Sequence, residues 1–240
     1  MRKLGLIGGT SWHSTVTYYE LLNQAIAKRL GGLHSAPLAI ESLDFAEVAV
    51  LMAAGRWDDV AALLVKAAER LKASGAEGLL IASNTLHRAV GAVAAATELP
   101  IVDIREASAT RVASDGRKRI ALLGTRATMV EDYARRPYES LGLEVQPLPA
   151  DAVAEVDRII FEELARGQVL RESQRKLKTL LTELGKQRVE AVVLGCTELA
   201  MIVDVRANVL PVYDTTAIHA AAAAEWMLGE APSRSVAAAA

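Results

Sequence analysis

The residues best suited to chemistry occur as a pair. One apolar strand ends in Ser83-Asn84-Thr85, and 113 positions later another ends in Cys196-Thr197-Glu198. A hydroxyl and a thiol that each stand where a strand stops and a helix begins lie among free backbone N–H groups that favour an anion. A carboxylate cradled by Asn84, Thr85 and Thr197 would leave the Ser83 and Cys196 side chains facing its α-carbon. Such a pair on opposite faces of a ligand could take a proton from one side and return one to the other. A free cysteine has a pKa of about 8.5, which a helix N-terminus lowers, so Cys196 reads as the base. Serine is far less acidic, and Ser83 reads as a proton donor or water anchor. The bland readings are a buried cysteine acting as a small hydrophobe and a Ser83 or Asn84 that merely caps a helix. The echo favours chemistry, because unrelated caps have no reason to occupy equivalent places.

Two further landmarks repeat at nearly the same distance. Lys3 to Thr10 (KLGLIGGT) is answered by Lys118 to Thr125 (KRIALLGT), and Leu99-Pro100-Ile101-Val102-Asp103 by Leu210-Pro211-Val212-Tyr213-Asp214. Three ordered matches read as a duplicated half of about 110 residues, near the low end of ordinary domain size. Short apolar runs at 3–8, 37–43, 78–83, 100–104, 119–124, 144–148, 190–195 and 209–213 alternate with helical patterns. The helical patterns fall at 14–30, 45–74, 86–97, 105–114, 127–141, 151–166, 170–186 and 215–228, the second breaking near Gly55-Arg56-Trp57-Asp58 with Asp58 as the new cap. This alternation predicts an α/β fold of two similar parallel-sheet domains related by pseudo-twofold symmetry, with the site in the interdomain cleft. The expected domains are 1–99 with 215–230, and 100–214, followed by a flexible tail at 231–240.

Composition limits the alternatives. The chain has 240 residues, a formal net charge of −2 and no basic block, so nucleic acid is not an expected partner. The apolar start is cut short by Gly8-Gly9, which argues against a signal peptide, and other apolar runs are too short or too charged to cross a bilayer. A soluble cytoplasmic protein is expected. One cysteine and four histidines without paired spacing give no metal site, and Gly5-x-x-Gly8-Gly9 lacks the dinucleotide-binding spacing.

Across nearly the whole chain, from Lys3 to about Leu228, the sequence resembles the PLP-independent aspartate/glutamate racemases, in particular their L-specific branch. The resemblance is carried by Gly5 to Trp12 (GLIGGTSW), Leu30 to Ala36 (LGGLHSA), Ser83 to His87 (SNTLH), Gly124 to Met129 (GTRATM), Phe161 to Leu164 (FEEL), Gly195 to Glu198 (GCTE) and Asp214 to His219 (DTTAIH). It implies two-base racemisation of a small acidic amino acid without a cofactor, in a homodimer. Cys196 matches the second catalytic cysteine, and Ser83 the first catalytic position, where many relatives carry cysteine and the L-specific branch threonine. Thr10, Asn84, Thr85, Thr125, Thr128, Thr197 and Glu198 match the substrate-lining set. Two basic residues that hold the distal carboxylate in the aspartate-specific branch align with Val48 and Ala165, and a polar position of the L-specific branch with Met52. Arg126, Arg166 and His87 stand as possible substitutes. Two other readings stay open: a one-cysteine isomerase or decarboxylase of a small dicarboxylate, and an amino-acid-binding homologue that has lost two-sided chemistry.

Overall fold

The computed structural model describes residues 1–204 and 208–230. The tail expected at 231–240 lies outside the described residues. The chain divides into two compact units, Met1–Ile104 with the segment from His219, and Arg105–Ile218.

In the first unit the strands are β1 (Leu4–Gly8), β2 (Leu38–Ser42), β3 (Gly78–Ile81) and β4 (Ile101–Val102). They pair in parallel in the order β2-β1-β3-β4. The helices are α1 (Trp12–Leu30), α2 (Phe45–Ala53), α3 (Trp57–Ala73) and α4 (Val90–Thr97). Alternation along β1 and β3 assigns the two faces. Leu4, Leu6 and Leu80 pack with Tyr18, Leu22 and Ile26, while Ile7, Leu79 and Ile81 pack with Val60, Leu64 and Val93. A parallel sheet covered on both sides needs such unbroken apolar strands.

The second unit repeats the plan. It contains α5 (Ile104–Ser114), β5 (Arg119–Gly124), α6 (Arg126–Val130), α7 (Asp132–Glu139), β6 (Glu144–Val145), α8 (Ala150–Arg158), α9 (Arg171–Lys186), β7 (Ala191–Gly195) and β8 (Val212–Asp214). Its strand order is β6-β5-β7-β8, also all parallel. Ala121, Leu123, Val192 and Leu194 face Val156, Leu177 and Leu181, and Ile120, Leu122 and Val193 face Ala109, Val112 and Tyr138. The last helix, α10 (Thr215–Leu228), follows β8, yet Ala220, Ala223, Ala224 and Met227 join the core of the first unit.

Several expectations need correction. The unit boundaries fall at 104/105 and 218/219 instead of 99/100 and 214/215. The reason is that β4 pairs with β3 and stays in the first sheet. Asp58 does not cap α3; Arg56 occupies that place without a side-chain cap, while Asp58 and Asp59 lie in the first turn and Arg56 pairs with Asp59 at 2.7 Å. The pattern at 127–141 is two helices, because Glu131 is extended at φ −91° and ψ 145°. Pro137 sits within α7 and has no N–H for the Tyr133 carbonyl, which instead accepts from the Arg105 guanidinium at 3.0 Å. The pattern at 151–166 is α8, a π turn at Ile159–Glu163 and a 3-10 turn at Leu164–Arg166. Among the described residues no helix is long and apolar enough to cross a membrane.

Gly78 is fixed by space. A Cβ there would lie 2.4 Å from the Trp226 ring on α10. Gly78→Ala is therefore expected to lower stability by about 1–3 kcal/mol through overpacking. A denaturant midpoint unchanged from wild type would contradict this packing.

Candidate active site

In the first unit the ends of β1 and β3 carry the expected residues. After β1 the chain turns sharply into α1. Gly9 adopts φ +82°, and a Cβ there would fall 2.1 Å from the Leu43 carbonyl oxygen, so only glycine fits. The Gly9 N–H donates to Thr15 Oγ1 at 2.8 Å. Ser11, which precedes α1, has φ 76° and makes no side-chain cap bond. Among the described residues neither the Thr10 nor the Ser11 hydroxyl oxygen, both buried, has a hydrogen-bond partner.

β3 ends at Ile81, and Ala82 N–H makes a bond to the Ile7 carbonyl at 2.9 Å. Ser83 follows, half-buried, then buried Asn84 and Thr85, and a 3-10 turn at Thr85–Ala89 leads into α4. The Ser83 hydroxyl oxygen accepts from the Leu86 N–H at a long 3.4 Å. That partner is a donor, so it cannot remove the hydroxyl proton. Within its own unit, Ser83 thus suits proton donation or water binding better than abstraction.

His87 is fully buried. Its Nδ1 lies 2.7 Å from the Ser83 carbonyl oxygen, and its Nε2 accepts from the Ile104 N–H at 3.3 Å. A carbonyl only accepts and an amide N–H only donates, so these two contacts make Nδ1 the donor and Nε2 the acceptor. Both ring nitrogens of His87 are thus turned to backbone groups of the first unit and not to a distal carboxylate. Beside it, His219 is equally buried, its Nε2 2.7 Å from the Val102 carbonyl oxygen and its Nδ1 2.8 Å from the Tyr18 hydroxyl. Burial, reinforced by His87, pulls the His219 pKa down to about 3.

In the second unit, Gly124 and Gly195 are paired at the ends of β5 and β7. Thr125 caps α6 by accepting from the Thr128 N–H at 3.4 Å, and the two hydroxyls are 3.2 Å apart. Tyr133, absent from the expected set, brings its hydroxyl to 3.4 Å from Thr128 Oγ1. Its place, five residues beyond Thr128 and across a helix break, carries no motif.

Cys196 is half-buried in extended backbone, and a 3-10 turn runs over Thr197–Met201. Its thiol donates to Glu198 Oε2 at 2.9 Å, and the Thr197 hydroxyl donates to the same oxygen at 2.6 Å. Desolvation of the sulfur, then the Glu198 charge, raise the thiol pKa well above its ordinary value. The expected lowering by a helix N-terminus is thus overturned. The turn here is only five residues of 3-10 helix, and a carboxylate faces the sulfur. A thiol bonded to a carboxylate is a stored proton with an acceptor at hand.

The remaining expectations fall elsewhere. Arg126 and Arg166 are exposed, and Val48 lies in the core of the first unit. Met52 is half-buried and packs against the same core, while Ala165 is half-buried behind the π turn. Among the described residues no group of three or more His, Cys, Asp or Glu side chains is arranged to hold a metal ion.

The family model of the Asp/Glu/hydantoin racemases matches residues 7–223. The chain belongs to this family. Its relatives of known structure include a Yersinia pestis protein assigned provisionally as an Asp/Glu racemase, with 41% identity over 95% of this chain and 100% of that one, at a TM-score of 0.88. An aspartate racemase homologue from Pyrococcus horikoshii is 32% identical over 92% of this chain and 96% of its own, at a TM-score of 0.77. The aspartate racemase of Picrophilus torridus shares the fold at 17% identity and a TM-score of 0.74, each chain covered to 96%. The two parallel sheets thus form the α/β racemase fold.

Glu198→Gln removes the charge that holds the proton on sulfur. Its thiol pKa is expected to fall, so alkylation of Cys196 by iodoacetamide near pH 8 should quicken severalfold. An unchanged pH profile of alkylation would show that Glu198 does not set the thiol.

Proposed function

We propose that the protein is a cofactor-independent amino-acid racemase that inverts the α-carbon of aspartate or glutamate, with Cys196 and Ser83 handling the proton on opposite faces of one bound substrate. The observation that carries this reading is the equivalent placement of two proton-bearing side chains, each just beyond the third strand of an identically ordered sheet. Family membership supplies the reaction class.

Asn84, Thr85 and the backbone around Thr197 would bind the α-carboxylate, with Thr10, Thr125 and Thr128 lining the site. For abstraction on the cysteine side, the thiol proton passes to the Glu198 carboxylate along the 2.9 Å hydrogen bond, and the thiolate takes the α-proton. The carbanion then receives a proton from the Ser83 hydroxyl, and solvent carries the Glu198 proton to the serine oxygen to restore the starting state. In the reverse sense Cys196 is the donor, a role that its raised pKa suits. A serine alkoxide is costly to form without a base, so abstraction on the Ser83 side is the slow direction. Glu198 therefore serves as the proton partner of Cys196 in addition to lining the site. The family resemblance extends the proposal to a homodimer, and a monomer in sedimentation would count against that part of it.

In D2O the protein is expected to exchange the α-proton of aspartate or glutamate and to erase optical rotation. Cys196→Ala should lose about 10²- to 10⁴-fold in rate, the usual contribution of a positioned acid–base group. Ser83→Cys should quicken the slow direction. A Cys196→Ala variant that exchanges at the wild-type rate would refute the assignment. The long Ser83–Leu86 bond also favours one-sided chemistry: exchange of only one enantiomer without inversion would select that reading.

A further inference from the structure

The Ser83 hydroxyl is held by one long hydrogen bond, so its position depends on its backbone. That backbone lies past the last rung of the β3 ladder. An α-helical turn would give the Ser83 carbonyl to the His87 N–H, but that N–H goes to the Asn84 carbonyl at 3.2 Å. The vacant place on the Ser83 carbonyl is filled by the His87 ring, through Nδ1 at 2.7 Å.

We infer that His87 is the positioning residue of the Ser83 strand end: its buried ring, anchored by the Ile104 N–H, fixes the Ser83–Asn84 peptide and hence the serine hydroxyl. This deepens the racemase reading and rests on it for its catalytic consequence. The ring itself is braced. His219 meets it edge to face with centroids 5.8 Å apart, and is tied to β4 through the Val102 carbonyl and to α1 through Tyr18. Asp103 Oδ1, 3.9 Å from His87 Nε2, is beyond hydrogen-bond distance. The brace joins α1, β4 and α10 to a peptide that the sheet no longer holds. At the other strand end the Cys196 thiol is instead held directly by Glu198.

The two ring bonds can be separated. Asparagine can reproduce the donor of Nδ1 and glutamine the acceptor of Nε2, so His87→Asn keeps the tie to Ser83 and His87→Gln keeps the tie to Ile104. Racemisation is followed by α-proton exchange in D2O, measured separately from each enantiomer. His87→Gln is expected to lose about ten- to a hundredfold in the slower exchange, on the Ser83 face, with the faster exchange nearly unchanged. His87→Asn should recover most of that loss. A loss equal on both faces, or equal in the two variants and parallel to their melting temperatures, would overturn the inference in favour of a merely structural histidine. A second measurement does not depend on turnover: the Asn84 backbone amide NMR signal should shift in His87→Gln and return toward wild type in His87→Asn. If wild type exchanges no α-proton, the racemase reading fails while this signal still decides the role of His87; an Asn84 signal unmoved in His87→Gln overturns that role whatever the activity.

Discussion

Everything at the candidate site depends on the register between the two central strands of each sheet. Parallel pairing of Ile7 with Ile81 and of Gly124 with Gly195 brings the ends of neighbouring strands level, so that the loops leaving them emerge side by side. In the second sheet the level ends are both glycine, and a Cβ on Gly124 would sit 2.8 Å from the Gly195 carbonyl oxygen. A shift of one residue would turn every side chain to the other face and exchange the two halves of the core. The apolar layers on both faces hold the register, and the register places Thr10 beside the Ser83 loop and Thr125 beside the Cys196 loop.

Upon this repeated frame the protein sets two unlike devices. Beyond β7 the proton-bearing atom is polarisable sulfur, and the acceptor for its proton lies two residues along the same turn. Beyond β3 it is a hydroxyl with a weak backbone contact, and order comes from histidines behind it. One end holds its proton in a local side-chain pair, and the other is backed by histidine contacts to elements distant in sequence. The difference follows from the groups themselves. The thiol has a carboxylate beside it to accept its proton, whereas among the described residues the Ser83 hydroxyl meets only an N–H donor.

Much of this was legible in the sequence, for reasons that differ by element. All eight strands follow from apolar runs closed by Gly, Pro or Asn, and the break between α2 and α3 from Gly55. The doubled order of the strands follows from the echo of three short motifs. The assignment of β4 was not legible, because a two-residue strand has no pattern of its own and belongs wherever its pairing partner lies. The direction of the Cys196 pKa was missed for a related reason: the sequence places Glu198 two residues away but does not say that a 3-10 turn folds it back onto the sulfur. Likewise His87 lies within a recognisable motif, yet its role depends on an Ile104 amide 17 residues on. Long-range pairing decided the first and last of these cases, and the local fold of one turn decided the second.

The exchange of final helices has a consequence for how the chain is made. Tyr18, Leu22 and Ala82 of the first unit pack against Ala220, Ala223 and Met227, residues synthesised after the whole of the second unit. On the ribosome the first four strands therefore emerge with that face of their sheet covered by α1 alone, until the last helix is made. The strand end carrying Ser83 can gain its His219 contact only after the rest of both sheets has been synthesised.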